Sequence, residues 1–342
     1  MSPWRLSATT ILRNKYREVL MLKRGPTAKF MPNAYVFPGG INDKADASFP
    51  IDRSNYELVE DGGELKLGNF ENDMPLRVTA LRELFEEAGL LLVLDENIRE
   101  HKVITAVDDP SLIEWREKVK ADASKFAELF TGGTKLDCNL LIPWSNWLTP
   151  ASSPRRFDTV FFVVPIDPPE AIEHCQREMA GGMWGLPSTF IKHSVMTNPI
   201  SLPPPQYYEL ARLRLQHTTE REPLERMLNT FKICPQVVHY AKMPGKNITL
   251  LPGDFAFDWE KRFVGTPLRE LTEREAEPTP DDPVHRMIFN TKPNYTDIEM
   301  DIRNPEKIDH TVHLFHFKES YEDERIRLLN QLMDWPSKKS KD

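Results

Sequence analysis

Cysteine is scarce in this chain. Cys138, Cys175 and Cys234 are the only three in 342 residues, too few for a disulfide scaffold and too far apart for paired metal-ligand spacing. A reducing compartment is the simpler reading. No apolar run approaches the roughly 18 residues of a membrane-spanning helix, so an integral membrane protein is not expected. The opening MSPWRLSATTILRNKYREVLMLKR lacks the order of a secretory signal, and the closing KKSKD is not the SKL-type peroxisomal address. The cytoplasm is therefore the default expectation. Excess positive charge is missing too: 44 Lys plus Arg stand against 52 Asp plus Glu, a net −8. This balance gives no general attraction to nucleic acid or to an anionic membrane. The chain also has no solenoid period, no zinc pattern among its histidines and no nucleophile-elbow setting for a serine such as Ser7 or Ser54, so covalent hydrolysis finds no support.

What is present suits a folded protein of mixed structure. Apolar residues make up 40% and charged residues 28%, which argues against global disorder. Residues 6–13 and 18–24 read as two strands of a hairpin. AYVFPGG, ending at Gly39 and Gly40, joins strand-forming residues to a turn where the backbone can approach a ligand closely. Residues 41–73 are rich in Asp, Asn, Gly and Glu and read as an excursion.

Beyond Pro75 the spacing predicts a helix over 76–88, with Leu76, Ala80, Leu84 and Ala88 on one inward face and Gly89 at its exit. LLLVL at 90–94 and FDTVFFVV at 157–164 read as strands, 111–130, 206–217 and 220–231 as helical. Short strands are expected at HRMIF and at HTVHLFHF near the C-terminus. Tyr207 and Tyr208 suit either core packing or cover for an apolar or nucleotide portion of a ligand.

The chemistry concentrates in RELFEEAGL, residues 82–90. Glu83 and Glu87 are four residues apart, so their carboxylates share a helix face, Glu86 lies beside it, and Arg82 can reach Glu86 across one turn. Carboxylates this close repel one another unless water, a cation or a metal compensates them. Taken alone, such a stretch is more often a charged solvent face. Beside a Gly39–Gly40 loop, three oxygen ligands instead suit hard Mg²⁺ or Mn²⁺, ions that bridge a diphosphate and polarise an attacking water.

These residues resemble the second half of the nudix hydrolase signature GX5EX7REUXEEXGU, in which U is aliphatic: Arg82, Glu83, Leu84, Glu86, Glu87, Gly89 and Leu90 match it. Counting back from Arg82 puts Gly68 at the signature glycine and Met74 where the signature has Glu. Met74 cannot ligate a hard cation as a carboxylate does, and Glu71 is out of register. The distance from Gly40 to Leu76 suggests an insertion before the catalytic helix.

FMPNAYVFPGG (30–40), RRFDTVFF (155–162), LPPPQYYE (202–209) and LLPGD (250–254), in that order, resemble the eukaryotic branch of coenzyme A and acyl-coenzyme A diphosphatases. The resemblance implies an α/β fold, a nudix α/β/α sandwich with a mixed sheet, an insertion before the catalytic helix and additional C-terminal helices. It implies a nudix domain over 1–265 and a C-terminal extension over 266–342.

It also implies metal-dependent cleavage of coenzyme A or acyl-coenzyme A to 3′,5′-ADP and (acyl-)4′-phosphopantetheine. Glu83, Glu86, Glu87 and Glu178 would hold Mg²⁺ or Mn²⁺, with Arg82 fixing the carboxylates. Arg24, Gly39, Gly40, Arg155 and Arg156 would meet substrate; Arg155 and Arg156 also suit a charged strand edge. The same branch makes a peroxisomal or mitochondrial address an alternative to the cytoplasm. Another nucleotide diphosphate as substrate, or a non-catalytic nucleotide-binding regulator, are the competing functions.

Overall fold

The computed structural model describes residues 4–28, 31–59, 72–166, 179–216, 224, 232–263 and 268–308. Strands β1 (Arg5–Arg13) and β2 (Val19–Arg24) form the hairpin expected from the sequence. The short β3 (Tyr35–Val36) and β4 (Gly39–Ile41) pair with β2 and β1 respectively. A one-turn helix, α1 (Lys44–Ala47), follows, and then α2 (Met74–Ala88). Strands β5 (Leu91–Asp95) and β6 (Glu100–Ile104), helix α3 (Leu112–Ala121) and β7 (Thr134–Leu136) come next.

Strands β8 (Ile142–Leu148), β9 (Phe157–Pro165) and β10 (Met179–Gly185) complete most of the main sheet, with β11 (Lys232–Ile233) at one edge. Its order is β10-β2-β1-β9-β8-β11, with β3 and β4 off that path. The sheet is mixed. β1 and β9 run parallel through nine residue pairs, from Arg5 opposite Phe157 to Arg13 opposite Pro165, whereas β8 and β9 are antiparallel.

The period of two in the central strands sends neighbouring side chains to opposite faces. Leu20, Leu22, Val160, Phe162 and Val164 face one core, which they share with Leu76, Ala80, Leu84 and Ala88 of α2. Val19, Met21, Phe161 and Val163 face a second core with α4 (Pro187–His193) and α5 (Pro204–Arg214). Helices on both faces of a mixed sheet give the expected α/β sandwich.

Helix α2 begins beside Pro75, whose fixed φ suits a first turn. The carboxylate of Asp73, just before it, accepts from Arg77 Nε at 2.8 Å and from the Tyr56 hydroxyl at 2.9 Å. Arg77 in turn reaches the carbonyls of Cys138 and Leu141, fixing the start of the helix from three sides. Gly89 ends it at φ +70°, the left-handed region where a side chain is strained, and donates its N–H to Phe85 O.

A second, five-stranded sheet was not foreseen. It comprises β12 (Gln236–His239), β13 (Lys246–Leu250), β14 (Arg269–Glu270), β15 (Val284–Asn290) and β16 (Glu299–Arg303), in the order β14-β12-β13-β15-β16. β13 pairs with β15 through five residues, and the buried Arg286 grips Asp254 with two bonds of 2.8 Å. Strands β14, β15 and β16, beyond residue 265, thus share one sheet with β12 and β13 before it.

Met287, Phe289 and Met300 of this sheet join the core that holds α5, so α5 lies between two sheets; Tyr207 and Tyr208 are buried there. Among the described residues no helix is long and apolar enough to cross a membrane. The helix read at 220–231, apart from Leu224, and the strand read at 310–317 lie outside the described residues.

Candidate active site

One residue of the central strand joins the two parts of the site. Thr10 donates its N–H to Pro38 O at 2.8 Å and its hydroxyl to Ala80 O at 3.1 Å, holding the glycine turn against α2. Gly39 and Gly40 pair with Thr9 and Ala8 of β1. The preceding Phe37 N–H is held by Gln206 Oε1 from the start of α5.

Against this turn lie the carboxylates of α2. Glu87 is buried, and its Oε2 accepts the Gly39 N–H at 2.9 Å. Glu83 faces Gly40 so closely that a Cβ there would stand 2.3 Å from the carboxyl carbon and 2.5 Å from either oxygen. Only glycine leaves room for that carboxylate. Adjacent residues of one turn thus receive carboxylates four residues apart on the helix, as helical spacing requires.

Arg82 is the hub. Its Nη1 donates to Glu83 Oε1 at 2.9 Å and Glu86 Oε1 at 2.7 Å, and its Nη2 to Ile41 O at 3.0 Å. Nε and Nη2 also grip Asp46, at 2.8 and 3.0 Å, in a two-point pair of the kind a planar guanidinium favours. Burial works against the Arg82 charge, but the Asp46 hydrogen bonds and the Glu83, Asp46 and Glu86 charges outweigh it and hold the guanidinium protonated well above its ordinary range. Burial, opposed by Arg82 and reinforced by Glu86, pushes the Glu83 carboxyl up to about 7.

Asp46 went unrecognised in the sequence, and the structure corrects the register in which the signature was read. Asp46 stands six positions after Gly40, the spacing of GX5E, with Asp in place of Glu. Residues 47–81 then occupy the stretch where the signature has seven residues. Met74 is the first residue of α2, buried in the core and not a substitute for an acid of the site; Gly68 and Glu71 lie outside the described residues.

Local chemistry explains why Asp46 can serve. Asp43 caps the one-turn α1, and Asp46 returns the contact by accepting the Asp43 N–H at 2.9 Å, a capping box built from two aspartates. The same carboxylate accepts from Thr79 Oγ1 at 2.8 Å, and Thr79 is held in turn by Asn42 Nδ2. The signal was legible in GGINDKAD, given a signature allowed to contain an insertion.

The other residues expected at the site are placed differently. Arg156 is buried, with its donors on Thr149 O, Phe263 O and Cys234 Sγ and its guanidinium 5.3 Å from the Trp4 ring centre. None of these partners belongs to α2 or the glycine turn; Arg156 braces β8, β9 and the segment before residue 264. Arg155 is exposed next to it. Arg24 ends β2, opposite Met179 of β10, with its N–H on Ala34 O. Glu178 lies outside the described residues.

The donor set fits a hard divalent ion held partly by other ligands. Among the described residues no three His, Cys, Asp or Glu side chains converge closely enough to hold a metal ion alone. Mg²⁺ usually takes only one or two protein carboxylates and completes its shell with water and substrate phosphates. One or two of Glu83, Glu86 and Glu87 would supply that number of oxygen donors, and the missing Cβ of Gly40 makes room for the Glu83 carboxylate.

A mixed sheet between helices, with an REUXEEXGU helix pinned to a glycine turn, defines a nudix hydrolase, and comparison with known proteins agrees. The family model of the NUDT19 Nudix domain matches residues 50–213. A Caenorhabditis elegans protein provisionally named nudix hydrolase 7 is 35% identical over 303 residues, which cover 87% of this chain and 90% of that one. The chain belongs to the nudix hydrolase family.

Within the family it is similar to the acyl-coenzyme A diphosphatase NUDT19 of Xenopus laevis, 35% identical over 229 residues, and of Homo sapiens, 33% identical over 228. Those matches span 57% of this chain and 59% and 60% of the two proteins. A nudix hydrolase from Alicyclobacillus acidocaldarius, 23% identical, shares the fold with a TM-score of 0.55 over 67% of this chain and 98% of its own.

Proposed function

We propose that this enzyme hydrolyses the diphosphate bond of coenzyme A and acyl-coenzyme A, releasing 3′,5′-ADP and 4′-phosphopantetheine or its acyl form. The observation that carries the reading is the pair of contacts Glu87–Gly39 and Glu83–Gly40, which set carboxylates against a turn able to approach a phosphate. The substrate class comes from the similarity to the NUDT19 proteins, named acyl-coenzyme A diphosphatases.

Glu83, Glu86 and Glu87 would hold Mg²⁺ or Mn²⁺, with Glu178 as a further ligand or proton acceptor. An ion held by these residues would supply charge neutralisation for the diphosphate and activation of water. Arg82 keeps one oxygen of Glu83 and one of Glu86 turned toward itself, which fixes where their other oxygens point. Asp46 holds that guanidinium from behind. Gly39, through its N–H, orients Glu87 in the same way. The protein's contribution is therefore preorganised geometry.

The test is a substrate panel at fixed Mg²⁺, comparing kcat/KM for coenzyme A, acyl-coenzyme A, ADP-ribose and a dinucleoside polyphosphate. Coenzyme A and its acyl esters should lead. Efficient turnover of ADP-ribose with none of coenzyme A or acyl-coenzyme A would overturn the substrate assignment, and metal-dependent binding without product would favour the regulatory function.

A further inference from the structure

We propose that Arg116 is a positioning residue of this active site, holding the last turn of α2 from outside and thereby the geometry of Glu86 and Glu87. It comes from α3, downstream of the signature. Leu112, Arg116 and Val119 form the buried face of that helix, and Leu112 and Val119 share the core that contains Phe85 and Ala88 of α2. From this anchored position Arg116, 7% exposed, donates Nη2 to the Glu86 carbonyl at 3.1 Å.

That carbonyl is one of the last four of α2, which a helix cannot satisfy internally. Gly89 answers the Phe85 carbonyl, and Arg116 answers the next. The charge at this helix end makes the contact matter. A helix C-terminus carries partial negative charge, ordinarily offset by basic residues in its last turn. α2 has no basic residue in its last turn and carries Glu86 and Glu87 there. Arg82 neutralises side chains from within the helix; Arg116 brings a buried cation to the backbone beneath them. Removing it takes one cation and one anchor from the turn, so the carboxylates lose part of their fixed aim before any ion arrives.

This inference rests on the reading of Glu86 and Glu87 as metal ligands. Arg116→Met keeps the apolar length without the guanidinium, and Arg116→Lys keeps the charge. Three measurements are made on the full chain: Mn²⁺ affinity by calorimetry, hydrogen exchange of the amides of residues 85–89 in metal-free protein, and steady-state kinetics (kcat and KM) on the preferred substrate of the unmutated enzyme.

R116M should lose about 10- to 100-fold in Mn²⁺ affinity or kcat, the usual cost of removing a partner that orients a metal ligand. Exchange in the last turn should quicken while KM stays close to that of the unmutated enzyme. R116K should recover most of the loss. A folded R116M with unchanged metal affinity, kcat and exchange would overturn the proposal, as would a loss that follows the unfolded fraction alone. If R116M does not fold, R116K decides by the same exchange and affinity measurements: it must show a smaller loss of the same kind, and none would overturn it. Absence of Mn²⁺ binding by the unmutated chain would instead remove the metal reading, and this inference with it.

Discussion

Replacing Asp46 by Asn tests the central arrangement of the site. The two carboxylate oxygens of Asp46 take Arg82 Nε and Nη2, Thr79 Oγ1 and the Asp43 N–H, all between 2.8 and 3.0 Å, and the Asp46 and Arg82 side chains are 1% and 5% exposed. An asparagine keeps one acceptor and turns an NH₂ toward donors that cannot receive it. Breaking a buried ion pair from one side costs about 3–5 kcal/mol. Arg82 retains Ile41 O, Glu83 and Glu86, so the expected loss is near the lower end, about 3 kcal/mol.

Catalysis should fall further than stability alone explains, because Arg82 would no longer be held from behind; about 10- to 100-fold in kcat/KM is the usual range for a partner of a metal ligand. Urea denaturation gives the first quantity, and Mg²⁺-dependent turnover well below the denaturation midpoint gives the second. D46N within about 1 kcal/mol of the unmutated protein, with undiminished turnover, would refute the assignment of Asp46 as the support of Arg82.

Glu87→Gln keeps an acceptor for the Gly39 N–H and should spare the fold while greatly reducing metal-dependent turnover; equal Mg²⁺ titration curves for the two proteins would oppose the ligand role. Gly40→Ala must displace the Glu83 carboxylate, so turnover should drop roughly 10-fold or more with a smaller change in unfolding midpoint, and a crystal structure with Glu83 unmoved would contradict this. Between pH 4.5 and about 7 the folded chain keeps a proton on Glu83 that the unfolded chain has lost. Stability of the metal-free protein should therefore fall as pH rises through that window and level off above it. Glu83→Gln should flatten this part of a Tm-against-pH curve, and an unaltered slope would exclude Glu83 as its source.

The helix that carries RELFEEAGL was legible because its information is local. Apolar residues every fourth position set its buried face, Gly89 its exit, and the same periodicity brought Glu83 and Glu87 together with Arg82 in reach of Glu86. The β1–β2 hairpin and β9 were equally local, since alternating or uniformly apolar runs name a strand wherever it ends up.

Register and partnership were not local. Asp46 meets Arg82 across 36 positions, a contact that no local period announces, although the GX5D spacing from Gly40 was there to be read. The sequence could not tell that packing surrounds Arg156 with Thr149, Phe263 and Cys234. The second sheet unites strands on both sides of residue 265, a long-range pairing that short β-compatible runs cannot announce. The amino-acid order by itself determined which carboxylates share a helix face; tertiary structure decided what stands opposite them, because burial and charge compensation depend on neighbours remote in the chain.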